Sequence, residues 1–192
     1  MNTRAGFLAQ GSAALAVAIS GSGIANNGAR SGPWCQALST TAREHIFDFS
    51  LYLLDGKGAI FTLSEQLGYV VWLNFFTSWC EPCNLEAPNI LVVAKKYGSA
   101  LRVIGIDVQE TEGAVRAFRD RHGITFPIAL DDKGAIFKNF GLPGFPTHMF
   151  IDASGLISCI SVAGLAASEM DNEVAVALAR APAPLPSPSA PA

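Results

Sequence analysis

Val70–Pro88 reads VVWLNFFTSWCEPCNLEAP, and two signals meet in it. Its first seven residues, Val70–Phe76, form an almost continuous apolar run, as expected of a strand buried on both faces. Its second half carries Cys80-Glu81-Pro82-Cys83, two thiols with two residues between them, where that strand meets a helix predicted from Cys80 to about Tyr97. A helix N-terminus presents unpaired N–H groups and a positive dipole end, and both favour a thiolate. Cys80 is expected to be the exposed nucleophile. Cys83, one turn further in, is placed to resolve a mixed disulfide formed on Cys80. Pro82 stiffens the spacer between them, and Pro88 should kink the helix. A zinc site normally takes four ligands, and no second C-x-x-C or paired-His motif is present. A purely structural bridge closing so short a loop would add little stability. The pair reads as thiol redox chemistry.

Outward from this stretch, strands and helices alternate. Phe47–Leu53 and Ala59–Thr62 flank Asp55-Gly56-Lys57-Gly58, a hairpin signal. Leu101–Val108 reads as the next buried strand, and Thr111–His122 as an amphipathic helix with Val115 and Phe118 inward. A short strand over Phe126–Leu130 and a short helix over Ala135–Phe140 follow. Thr147–Ile151 and Leu156–Val162 bracket a second turn, Asp152-Ala153-Ser154-Gly155, and Glu169–Arg180 closes as a helix. A β-α-β unit followed by a hairpin and a helix predicts a three-layer α/β/α fold with a mixed central sheet and an N-terminal β-hairpin extension.

The chain has 192 residues, half of them hydrophobic and 15% charged, which suits one globular domain with short appendages and excludes a disordered chain. A net charge of −3, with no basic block, speaks against nucleic-acid binding. Residues 1–25 carry Arg4, an apolar stretch and then small residues, the order of a signal peptide or N-terminal anchor. Residues 26–45 are a lead-in, 46–180 the domain, and 181–192 a tail with five prolines in twelve residues. An exported protein in a bacterial periplasm or cell envelope is the expectation.

The stretch Val70–Pro88 resembles the thioredoxin superfamily, and within it the TlpA/ResA-like thiol–disulfide oxidoreductases. The resemblance runs from about Phe47 to Ala179. It is carried by Trp79-Cys80-Glu81-Pro82-Cys83, by Pro88 five residues on, and by Gly144-Phe145-Pro146-Thr147 before an apolar strand ending in Ile151-Asp152. It implies a thioredoxin-like fold with an insertion between the second strand–helix unit and the second hairpin. It also implies a cis-proline at Pro146 facing the cysteine pair, with Trp79 and Phe145 on the rim. Ordinary thioredoxins carry a buried, proton-moving Asp six residues before the first cysteine; here that place holds Asn74, which cannot titrate. Glu86, three residues after Cys83 on the same helix, is where the ResA-like branch has its acid/base carboxyl. Glu81 is expected in solvent, and its negative charge opposes thiolate formation at Cys80.

The resemblance implies a dithiol reductase that needs no cofactor and no metal. Its protein partners would belong to cytochrome c maturation or metal-site assembly, and a membrane electron donor would re-reduce it. A copper chaperone using Cys80, Cys83 and His148 is the alternative, since thiolates select Cu(I). A peroxidase of the peroxiredoxin type finds its Thr at Thr77 but has Leu73 where it needs proline. His122, at a helix end, is placed as a cation on the dipole. His45 precedes the domain. Finally, Cys35 in the lead-in and Cys159 in the last strand are a possible second disulfide. It would close a loop of over a hundred residues.

Overall fold

The computed structural model describes residues 31–35 and 47–180. Residues 1–25, His45, most of the lead-in and the Pro-rich tail lie outside the described residues. One seven-stranded sheet organises the chain, in the order β2-β1-β5-β4-β3-β6-β7. Its strands are β1 (Ser50–Leu53), β2 (Ile60–Thr62), β3 (Val70–Phe76), β4 (Leu101–Val108), β5 (Ile128–Asp131), β6 (Thr147–Ile151) and β7 (Ile157–Ser161). The helices are α1 (Glu81–Tyr97), α2 (Glu112–His122), α3 (Ala135–Asn139) and α4 (Ala167–Arg180).

β3 is an interior strand next to the middle strand β4, parallel to β4 on one side and antiparallel to β6 on the other. All seven of its residues are buried, which is why its apolar run does not alternate. β4 and β5 continue the parallel part, so the successive crossovers α1 and α2 fall on one face. α4 joins them there: Ile90 and Val93 of α1 pack with Met170, Val174 and Ala177 of α4 over Trp72 and Phe150. The opposite face is covered more thinly, by α3 and by Phe49 and Leu63 near the first hairpin. The three layers are present, and they are unequal.

β5 and α3 are the insertion before the second hairpin, and β5 joins the N-terminal hairpin to the parallel strands by pairing antiparallel with β1. The first hairpin is shorter than expected. Only Ser50–Leu53 enters the ladder, whereas Phe47 and Phe49 leave it to pack on Phe140, with Phe47 stacked at 4.1 Å. Its turn places Asp55 and Lys57 at positive φ and Gly58 at φ 93°, so the glycine sits where a side chain would be strained. α1 runs without interruption through Pro88 over seventeen residues. Among the described residues no helix is long and apolar enough to cross a membrane.

Candidate active site

Cys80 is the N-cap of α1. Its backbone is extended, and its Sγ accepts the Cys83 N–H at 3.3 Å. Pro82 occupies the first turn, where a missing N–H costs nothing. The two cysteines are joined, with Cα atoms 5.3 Å apart. Both are buried, Cys80 at 6% exposure and Cys83 at 2%. The expectation of an exposed Cys80 is therefore corrected, because the loop after α3 folds over it. Cys80 nevertheless reaches a surface depression of about 470 Å³ lined by Trp79, Glu81, Pro82, Phe137, Pro143 and Phe145, which Cys83 does not line. Trp79 is 72% exposed and meets Phe145 edge to face at 6.1 Å. The Phe145–Pro146 peptide bond is cis. Glu81 is exposed.

Glu86 is 3% exposed, and three N–H groups converge on it. Asn74 Nδ2 donates to Oε1 at 3.3 Å, and the Leu165 backbone N–H donates to Oε2 at 3.1 Å. His148 Nε2 lies 3.1 Å from the same Oε2. The tautomer of His148 follows from its other nitrogen. Trp72 Nε1, which can only donate, is 3.2 Å from His148 Nδ1, so Nδ1 accepts and the ring proton sits on Nε2, pointing at Glu86. The register pairs Asn74 with His148 across β3 and β6, which brings the amide and the imidazole to the carboxylate together. Trp72–His148–Glu86 is thus one buried chain of hydrogen bonds ending three residues from Cys83.

This chain removes the third ligand from the copper reading, since both ring nitrogens of His148 are engaged. Replacing His148 by alanine strands the Trp72 N–H in a fully buried place and takes from Glu86 Oε2 one of its two donors, leaving it the Leu165 N–H. The expected loss is about 2–4 kcal/mol of unfolding free energy, read from urea titration.

The peroxidase pattern is equally poorly served. Leu73 lies inside β3, paired with Ile104 and Met149, where a proline would remove a ladder donor. His122 is not the helix-end cation expected of it. Burial and the neighbouring Arg121 hold its pKa below the usual value, and it bonds Asn84 at 2.8 Å while lying against Phe118.

Two features escaped the sequence reading. Leu165, in the loop before α4, reaches back over α1 to Glu86. Glu110, just after β4, binds the Ser78 N–H at 2.5 Å and the Ser78 hydroxyl at 2.6 Å, clasping the segment that delivers Cys80. Nothing in the local spacing announced either one. At the β7 edge of the sheet, in the layer shared with α1 and α4, Cys35 and Cys159 are bonded with Cα atoms 5.4 Å apart. The Gly32 N–H donates to buried Glu173 at 2.7 Å beside them.

Comparison with known proteins agrees with this geometry. The AhpC/TSA family matches residues 42–160. The chain belongs to the AhpC/TSA family. Within that family it is similar to the thioredoxin-like protein YneN of Bacillus subtilis, 35% identical over 130 residues that cover 66% of this chain and 75% of YneN. It is also 30% identical to the thiol-disulfide oxidoreductase ResA of Geobacillus kaustophilus, covering 72% of this chain and 76% of that one. Against ResA of Bacillus thuringiensis subsp. konkukian, 35% identical, the match spans 54% of this chain and only 60% of the relative. Among solved structures, a secreted Mycobacterium tuberculosis disulfide oxidoreductase homologous to E. coli DsbE shares 29% identity at a TM-score of 0.60. The alignment covers 66% of this chain and 94% of that one. This member of the AhpC/TSA family is a thioredoxin-like thiol–disulfide oxidoreductase of the TlpA/ResA-like kind.

Proposed function

We propose that the protein is an exported reductase of protein disulfides, acting through Cys80 and Cys83 on partners in cytochrome c maturation or metal-site assembly. The observation that carries this reading is the placement of Cys80. Its sulfur caps a helix N-terminus and opens on an aromatic-rimmed depression, while Cys83, which does not line that depression, sits behind it. In the reduced enzyme the Cys80 thiolate attacks one sulfur of the partner's disulfide, and the partner's other sulfur leaves and takes up a proton. Cys83 then gives up its proton and attacks Cys80 Sγ. The second partner sulfur leaves Cys80 and is protonated in turn. The partner departs as a dithiol with two electrons from the cysteine pair, one proton matching that given up by Cys83 and one from solvent. Pro146, whose cis bond follows the rim residue Phe145, is assigned the role of aligning the incoming strand of the partner against the cysteine pair. Glu86 receives and returns the Cys83 proton, and His148 fixes its orientation. A membrane-held electron donor restores the dithiol. The secreted relative and the residues 1–25 support export.

The test is reduction of a disulfide-bonded peptide carrying the haem-attachment sequence C-x-x-C-H by the pre-reduced protein. Stoichiometric release of peptide thiols supports the proposal. A peptide left oxidised while the protein stays reduced overturns it. Glu86→Gln is expected to change the pH dependence of the resolving step and to slow it by about 10-fold or more near neutrality. A pH–rate profile identical to that of the unaltered protein removes Glu86 from the mechanism.

A further inference from the structure

The carboxyl absent from position 74 has a counterpart on the next strand. Asp107 lies near the end of β4, opposite Phe76 of β3 and Leu130 of β5. Phe76 and Leu130 both belong to the apolar cluster that holds Cys80 and Cys83, so Asp107 is built into the same layer between sheet and helices. It is 1% exposed, and its Oδ2 is buried without a hydrogen-bond partner among the described residues. A bare carboxylate in such a place is costly; a protonated or proton-sharing carboxyl is not. Glu110, three residues on, meets Asp107 and also holds the nucleophile's own segment through its two bonds to Ser78.

We propose that Asp107 and Glu110 are positioning residues for Cys80, a carboxyl pair that holds one proton between its members and thereby keeps Glu110 fastened to Ser78. The proton lets the two acids lie side by side. Its loss sets two negative charges against each other, drives Glu110 off Ser78, and loosens Thr77–Trp79, the three residues that place Cys80 at the N-terminus of α1. Thr77 is itself 1% exposed with an unpartnered hydroxyl; besides Glu110, the segment is held by the Cys80 N–H on the Thr77 carbonyl at 3.2 Å and by Asn84 Nδ2 on the Ser78 carbonyl at 2.9 Å.

The surroundings favour the proton. Burial and the Glu110 carboxyl push the Asp107 pKa up to about 8, and Asp132 from the loop after β5 adds a further negative charge. The basic side chains of the overlying helix α2 are engaged elsewhere. Arg116 and Arg119 pair with Asp55, while Arg121 and His122 turn to Asn84. From α1, Glu86 is taken up by Asn74, His148 and Leu165, and Glu81 is exposed.

The inference rests on exchange at Cys80 and not on its direction. Its test is the rate of reaction of the reduced protein with oxidised glutathione between pH 6 and 10. Thiolate formation alone gives a rate that rises with pH and levels off. The proposal predicts a descending limb above about pH 8, so that by pH 9, where about nine-tenths of Asp107 is ionised, the rate has fallen about threefold or more from its maximum. Asp107→Asn and Glu110→Gln should each abolish that limb. In addition, stability should shift in the direction set by the raised pKa. The folded state keeps a proton that the unfolded state loses above its ordinary value of 3.8, so Asp107 weakens the fold progressively from about pH 4 to about pH 8. Asp107→Asn should therefore gain stability relative to the unaltered protein across that window. A rate that never falls in the unaltered protein, or a descending limb that persists in both variants, overturns the pair. A protein that does not react with glutathione at any pH overturns the exchange reading instead.

Discussion

Replacing Cys80 by serine is expected to lower disulfide exchange by about 10³-fold or more, to the background set by solvent thiols. The hydroxyl is a far weaker nucleophile than the thiolate it replaces, yet it preserves the local structure. Serine is a good N-cap, and its Oγ can accept the Cys83 N–H that Cys80 Sγ accepts at 3.3 Å. Folding should therefore be retained, and the loss should be chemical. Cys83→Ser is expected to behave differently. Cys80 still attacks, nothing resolves the adduct, and a covalent mixed disulfide with the substrate accumulates, visible as added mass that reductant removes. If Cys80→Ser forms the adduct and Cys83→Ser does not, the assignment of nucleophile and resolving cysteine is reversed.

The second large effect is on stability. Changing both Cys35 and Cys159 to serine removes a bridge between residues 124 apart in sequence. Chain entropy assigns such a loop an upper figure of about 4–5 kcal/mol, and loss of a native disulfide commonly costs about 2–5. For a chain of this length that is a fall of roughly 10 °C in Tm. Cys159 is completely buried in β7, and Trp34 and Cys35 pack on the cluster around Trp72 and Phe150, so the segment 31–35 should also lose its seat over α4. Exchange at Cys80 should be untouched, since the bridge lies outside the site. A Tm shift under about 2 °C would show that the bridge adds almost nothing.

What could be read from the chain, and what could not, divides along contact distance. Val70–Phe76 declared itself as an interior strand because burial on both faces leaves almost no polar position, Asn74 being the exception. Cys80–Cys83 declared itself because the spacing and the helix start are local. The hairpin turns at Asp55–Gly58 and Asp152–Gly155 are local too. Glu86 was legible as a neighbour of Cys83, three residues away on one helix. Its partners were not: His148 lies 62 residues on and Leu165 lies 79, and only the β3–β6 register and the loop before α4 bring them in. Asp107 was not singled out inside the strand Leu101–Val108, because its meaning depends on Glu110 and on Ser78, which is 32 residues before Glu110. Phe47 and Phe49 looked like strand residues and instead follow Phe140, because aromatic packing outweighed two further ladder positions. His122 followed the rule for helix ends in sequence, and burial reversed it.

The direction of electron flow is the central claim, and the reduction potential of the Cys80–Cys83 couple tests it most directly. The reduced and oxidised forms are equilibrated against dithiol buffers of known potential, in a Cys35→Ser/Cys159→Ser background so that one couple is measured. A reductase places the couple toward thioredoxin, at about −270 mV and in any case below about −200 mV. A value near about −120 mV, that of a strong protein oxidant, would contradict the account, because such a pair would form disulfides in its partners rather than remove them.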